Sequence, residues 1–167
     1  FTDKNYPIIV SCAKELSRWV EIELLDMGYK IVEVTENTVV VRGDMRDVMR
    51  LNLHLRCAHR VLVPLLRADC RNIRDLYELA YSIDWENILE ADGYFSVSSI
   101  VHNYTIRDTR LPSLYTKDAI ADRMRDKCQR RPDSGGANIG AAVFAKIAID
   151  VGVIFEIGVE IHVVELH

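Results

Sequence analysis

No stretch of this sequence is long and apolar enough to span a membrane. Runs such as Ile8-Ile9-Val10 and Val39-Val40-Val41 fall far short of the ~20 residues a spanning helix needs. There is no charged start leading into an apolar segment, so no signal peptide is visible. Residue 1 is Phe rather than Met, so the natural start, with any targeting segment, is expected upstream. Cysteine is sparse. Cys12, Cys57, Cys70 and Cys128 form no C-x-x-C pair and no dense framework, which reads as reduced thiols in a cytoplasmic protein. Of the eight glycines, none builds the Gly-rich strand-to-helix turn that a dinucleotide or methyl-donor site needs. There is no P-loop, no G-x-S-x-G and no H-E-x-x-H. These absences leave no catalytic residue to assign. His54, Cys57 and His59, with Cys70 further on, lack the four tightly spaced ligands of a structural zinc site, so no metal is expected.

What is present is a core and an uneven charge. Across 167 residues, 49% are hydrophobic and 28% charged, enough to bury a core and too apolar for disorder. The net charge is −4, which alone argues against a nucleic-acid binder. Residues 1–102 carry 12 Lys/Arg against 16 Asp/Glu, residues 103–131 carry 8 against 4, and residues 132–167 carry 1 against 5. A basic island between two acidic stretches can steer a polyanion even when the total opposes it.

The patterning predicts an α/β (α+β) chain. Tyr6–Val10 suits a buried strand. Ser11 is an expected N-cap for a helix over Lys14–Met27, with Leu16, Trp19, Val20, Ile22, Leu24 and Leu25 at helical spacing and Gly28 closing it. Lys30–Glu36 and Thr38–Arg42 read as a hairpin. Asp44 is expected to cap a helix to about Leu55, and Val61–Leu66 a fourth strand. The order β-α-β-β-α-β in some 60 residues is the split βαβ, ferredoxin-like arrangement, expected to bury Trp19, Leu24, Val40 and Val63.

From about Ala68, Asn72 can cap a helix through about Ser82. Asp84-Trp85 and a short helical turn follow, then a strand over Tyr94–Val101. Asn103–Pro112 is a polar, basic loop, with Ser113 or Thr116 as cap of a helix to about Lys127. Phe95, Val97, Ile120 and Met124 are the expected core there. Pro132 to Gly136 is a break, and Ala141–Ile149 and Val153–Val164 are two further strands. On the last helix Leu114, Ile120, Ala121, Met124 and Cys128 form the expected apolar face. Lys117 falls inside it: either its stem packs and its amine snorkels out, or it aims a fixed charge across the helix N-terminus. Asp118, Asp122 and Asp126 form a carboxylate stripe, read as a solvated face beside Arg123, Arg125 and Lys127.

Asn103–Arg131 holds the strongest functional signal. Arg107 and Arg110, with Asn103, Thr105 and Thr109, offer partners for phosphate and sugar oxygens. They lead into a helix N-terminus that favours anions. The predicted RNA-binding surface is Asn103, Arg107, Thr109, Arg110, Lys117, Arg130 and Arg131. With few exposed aromatics nearby, shape recognition of structured RNA is favoured over base stacking. The competing reading pairs Arg107 with Asp108 and Arg131 with Asp133 as surface ion pairs.

At these residues the chain resembles a known family. Phe95-Ser96-Val97, Asn103-x-x-Ile106-Arg107-Asp108-Thr109, Leu114-x-x-Lys117-Asp118-Ala119-Ile120-x-Asp122 and Arg131-Pro132 closely resemble the THUMP domain of bacterial large-subunit rRNA guanine-N2 methyltransferases. Ser11-Cys12-Ala13-Lys14-x-Leu16, Val41-Arg42-Gly43-Asp44, the Leu55–Leu65 run and Asp75-Leu76-Tyr77 through Ile83-Asp84-Trp85 resemble the same proteins. The resemblance covers about residues 6–136. Beyond it, Gly158-Val159-Glu160-Ile161-His162 only echoes the family's closing segment, and residues 137–167 hold one basic residue, Lys146. The resemblance implies a ferredoxin-like domain over residues 1–66 and a THUMP RNA-binding domain over 67–167. It also implies a SAM-dependent methyltransferase domain following in the same polypeptide, so that this chain is a fragment that itself binds no SAM. Large-subunit rRNA is the implied partner. THUMP domains also occur in tRNA-modifying enzymes, and a regulatory small-ligand module or a protein-interaction module are the other classes left open.

Overall fold

The computed structural model of the chain describes residues 5–70, 72–91, 93–102, 110–130, 132–134, 141–148 and 152–160. The chain divides into two compact units, Phe1–Pro64 with Gly158–His167, and Leu65–Ile157.

In the first unit the elements are β1 (Tyr6–Cys12), α1 (Ser17–Asp26), β2 (Ile31–Val34), β3 (Thr38–Gly43), α2 (Met45–His54) and all but the last four residues of β4 (Ala58–Ala68). The strands lie in the order β2-β3-β1-β4, and every neighbouring pair is antiparallel. This is the expected ferredoxin-like β-α-β-β-α-β order. Alternation along β1 sends Ile8, Val10 and Cys12 inward, and along β3 it does the same for Val39 and Val41. Val20 and Leu24 of α1 and Val48 and Leu51 of α2 are also buried.

Local chemistry explains α2. The Asp44 carboxylate accepts from the backbone N–H groups of Arg46 and Asp47, and the Asp47 carboxylate accepts from that of Asp44. This capping box satisfies donors that the first helical turn leaves orphaned.

α1 departs from expectation. Ser11 and Cys12 stay in β1, where Ser11 pairs with Thr38 and Arg60, so Ser11 is not a cap. Glu15 takes a positive φ of 72°, which keeps the helix from starting before Ser17. Gly28 does close it, with φ +88°. Trp19, expected in the core, is 58% exposed. α1 carries apolar residues around most of its circumference, and only the stripe of Val20 and Leu24 meets the sheet. Val40 is half-buried, on the opposite face of β3 from Val39 and Val41. Leu24 and Val63 are buried as expected.

The second unit holds α3 (Ile73–Ser82), a single 3-10 turn (Trp85–Asn87), β5 (Tyr94–His102), α4 (Leu111–Cys128), β6 (Asp133–Ser134), β7 (Ala141–Ala148) and all but the last three residues of β8 (Gly152–Glu160). The strand order is β8-β7-β5-β6, with β5 parallel to both β6 and β7. Asn72 caps α3 as expected, accepting from Arg74 N and Asp75 N. The core is Leu76, Ala80, Ile83, Trp85, Leu89, Phe95, Ala119, Ile120 and Met124, with Val97 half-buried against it. The Trp85 indole N–H is buried and donates to the Ala80 carbonyl at 2.6 Å, so the largest side chain leaves no polar atom unpaired.

Candidate functional site

The candidate site is built on α4, whose seating follows from side chains at both ends. Arg110 is the N-cap residue, in a helical conformation and with no side-chain capping bond. The helix starts before Ser113 and Thr116 because Pro112 sits in its first turn, where its fixed φ suits a helix and its missing N–H costs nothing. Ser113, expected as a cap, is instead inside the helix, and its hydroxyl shares a 2.7 Å hydrogen bond with that of Ser99 in β5. Thr116, the other expected cap, is fully buried.

The buried face of α4 is Pro112, Thr116, Ala119, Ile120, Ala121 and Met124. Leu114, expected on that face, is 51% exposed, and Cys128 is exposed too. Small residues at 116, 119 and 121 let α4 lie close against its neighbours, a choice that apolarity alone does not reveal.

Polar contacts lock α4 to α3. The Tyr77 hydroxyl donates to Asp122 at 2.7 Å and the Tyr81 hydroxyl to Asp126 at 2.6 Å. The hydrogen bond to Asp122, and burial after it, push the Tyr77 phenol up to about 12. Arg123, with its side chain 11% exposed, donates to both Glu86 oxygens at 3.0 and 2.7 Å, to Asp84, and to the Tyr81 carbonyl at 3.1 Å. The guanidinium beside Glu86 holds its carboxyl below the usual value. The expected solvated stripe is therefore divided: Asp118 is exposed, while Asp122 and Asp126 join the two helices. Tyr77, Tyr115, Asp118, Ala121, Asp122 and Arg125 line a cavity of about 310 Å³ between α3 and α4. Sequence reasoning missed this seam, since its contacts join residues 37 to 45 apart.

Of the predicted RNA-binding residues, Arg110, Lys117 and Arg130 are described; Asn103, Arg107, Thr109 and Arg131 lie outside the described residues. Arg110 and Lys117 stand seven positions apart, about two turns, and so share one side of α4. Arg110 is exposed and Lys117 half-buried, one turn before the buried Ala121, an arrangement in which the lysine stem packs. Arg130 is exposed just past the C-cap Gln129, whose φ is 54°. An 18-residue helix is about 27 Å long, so Arg110 and Arg130 stand at opposite ends of α4. Among the described residues no group of three or more His, Cys, Asp or Glu could hold a metal ion, and no helix is long and apolar enough to cross a membrane.

Fold and site together define a class: a ferredoxin-like unit joined to a second α/β unit that presents basic residues along its longest helix. Within that class, residues 7–62 match the family model of the RlmL ferredoxin-like domain and residues 70–134 that of the THUMP domain. The chain belongs to this family pair, an RlmL ferredoxin-like domain followed by a THUMP domain. It is 36% identical over 130 residues to the ribosomal RNA large subunit methyltransferase K/L of Pseudomonas entomophila, an alignment covering 77% of this chain and 18% of that protein. The chain thus spans about a fifth of the length of the curated relatives it matches. Among solved structures, it is similar to a predicted N6-adenine-specific DNA methylase from Listeria monocytogenes. That chain is 24% identical with a TM-score of 0.75, and the match covers 93% of this chain and 40% of the other. A possible methylase from Clostridium difficile is 19% identical with a TM-score of 0.77, over 93% and 41% of the two chains. These two likenesses show the fold.

Proposed function

We propose that this chain is the RNA-binding module of a SAM-dependent 23S rRNA (guanine-N2)-methyltransferase acting in the cytoplasm. In this reading residues 1–66 form the ferredoxin-like domain and residues 67–167 the THUMP domain. They hold structured RNA for a methyltransferase domain in the same polypeptide. SAM belongs to that domain, and the module itself supplies no catalytic residue. The observation that carries the reading is the 36% identity over 130 residues to a large-subunit rRNA methyltransferase, with both family models matched in order.

The physical chemistry supports it. Arg110 and Lys117 lie on one side of α4 toward its N-terminus, where the helix dipole adds to their charge. Contacts of this kind go to phosphates and 2′-hydroxyls, and they position RNA without reading its bases. With a net charge of −4 the isolated module binds weakly and with strong salt dependence.

The test is a titration of large-subunit rRNA fragments, with tRNA alongside, across a range of salt, using wild type, Arg107→Ala and Lys117→Ala. Each lost phosphate contact lowers the log–log salt slope by about 0.7–0.9. Unchanged affinity and slope in both variants remove this surface from the binding site. Tighter binding of tRNA than of rRNA moves the module to a tRNA-modifying enzyme. Calorimetry with SAM is expected to show no binding, and micromolar binding overturns the assignment of SAM to another domain.

A further inference from the structure

The first unit carries a second concentration of positive charge. Residues 42–60 contain five arginines and two aspartates, a net-positive window inside a stretch that is acidic as a whole. Both aspartates are engaged elsewhere: Asp44 caps α2, and Asp47 accepts from Asp44 N and from the Tyr29 hydroxyl at 2.8 Å. Glu23, the carboxylate at the far end of α2, accepts from Arg56 N and Cys57 N. Arg46, Arg50 and His54 follow one another at four-residue spacing along α2. Arg46, Arg50 and His54 are all exposed. Among the described residues Arg46 and Arg50 have no carboxylate partner; Arg50 lies over the Tyr29 ring at 5.7 Å. Beside this ridge runs an apolar one, Met49 at 61% and Leu53 at 81% exposure.

As a stability device this arrangement is poor. Like charges four residues apart on a helix repel, and Arg46 in the first turn opposes the helix dipole. Arg50 is answered in the fold only by the Tyr29 ring; a local rule that the fold does not otherwise offset marks a surface shaped for something outside it. Two arginines about 6 Å apart along the axis, with no acid free to answer them, call for a polyanion.

We propose that the outer face of α2, Arg46, Arg50 and His54 with Met49 and Leu53, is a second contact surface for the phosphate backbone of the RNA. This rests on the RNA-binding reading above and gives the ferredoxin-like domain a contact surface of its own within it. The arginines take phosphate oxygens, and Met49 and Leu53 lie against the sugars between them.

The test uses the whole chain and a synthetic RNA stem closed by a UUCG loop, titrated across salt. The variants are Arg46→Gln/Arg50→Gln, Arg110→Ala/Lys117→Ala and Met49→Ser/Leu53→Ser, each checked for an unchanged circular dichroism spectrum. The arginine pair is expected to weaken binding about tenfold at low salt and to lower the salt slope by about 1.5. Crosslinking to the RNA is expected within residues 45–54. If wild type binds and the arginine pair leaves affinity and slope unchanged, this inference is overturned while the α4 reading stands. If wild type does not bind the stem at all, the RNA-binding reading falls and this inference with it. If the arginine pair leaves RNA affinity unchanged and Met49→Ser/Leu53→Ser dissociates a wild-type dimer in light scattering, the face is a protein interface and the inference is overturned.

Discussion

Removing the Arg123 guanidinium tests how α4 is held in place. The side chain makes bonds to Glu86, Asp84 and the Tyr81 carbonyl. Asp84 is 67% exposed and its share is screened by water. Glu86 is 23% exposed, and in Arg123→Ala it keeps its charge without the guanidinium that answers most of it. Losing a charge-assisted fork and stranding a half-buried carboxylate costs about 2–3 kcal/mol, below the cost of breaking a fully buried pair. For a unit of this size that lowers the melting temperature by roughly 10–20 °C. The two tryptophans allow a local readout, since Trp85 is fully buried in the second unit and Trp19 is 58% exposed in the first. In a Trp19→Phe background, Trp85 emission in a urea titration reports the second unit alone. Arg123→Lys is expected to recover only part of the loss, because an ammonium cannot reproduce the planar fork. The pH dependence has a definite sign. The Glu86 carboxyl titrates below its ordinary value of 4.5 in the folded protein. Its contribution is therefore complete above the unfolded value and fades as pH falls through the lower folded one. The gap between wild type and Arg123→Ala narrows in that acid range. A midpoint shift no larger than that of an ordinary surface substitution, or a gap that does not change with acid, would refute the argument.

Three further outcomes are expected. Asp44→Ala removes the cap of α2 and destabilises the first unit by about 1 kcal/mol, read as a lower urea midpoint with Trp19 as the sole tryptophan, in a Trp85→Phe background; an unchanged midpoint contradicts the capping box. Ile120→Ala empties a fully buried position and costs about 2–4 kcal/mol, measured by Trp85 emission; a cost below about 1 kcal/mol would place Ile120 outside the core. The Tyr77 hydroxyl ionises at about 12 because it donates to Asp122; in Asp122→Asn its spectrophotometric titration moves down toward the ordinary 10, and no movement denies the bond.

Features that depend on a few neighbouring residues were legible in the sequence. Asp44 and Asn72 read as caps because the bonds they make reach only two or three residues along the chain. Gly28 read as a stop because a left-handed residue ends a helix whatever it packs against. The βαββαβ order followed from periodicity and turn residues, which are local too. The motifs around Arg107 and Lys117 resemble the THUMP domain in consecutive residues alone.

Tertiary structure decided the rest. Helical spacing shows that α1 has apolar residues but not which stripe meets the sheet, so Trp19 fell on the solvent side and Val20 and Leu24 on the other. On α4 the close approach to its neighbours favoured Thr116 and Ala119 over Leu114 and Cys128. Arg123 reads as one more surface charge until folding brings Asp84 and Glu86, 39 and 37 residues away, to its guanidinium. The charge of α2 was hidden in the same way. A count over residues 1–102 is acidic, and only the folded capping box, by engaging Asp44 and Asp47, leaves Arg46 and Arg50 without a carboxylate among the described residues. Local bonds are written in consecutive residues; which charge meets which, and which face is covered, is fixed only when distant segments pack.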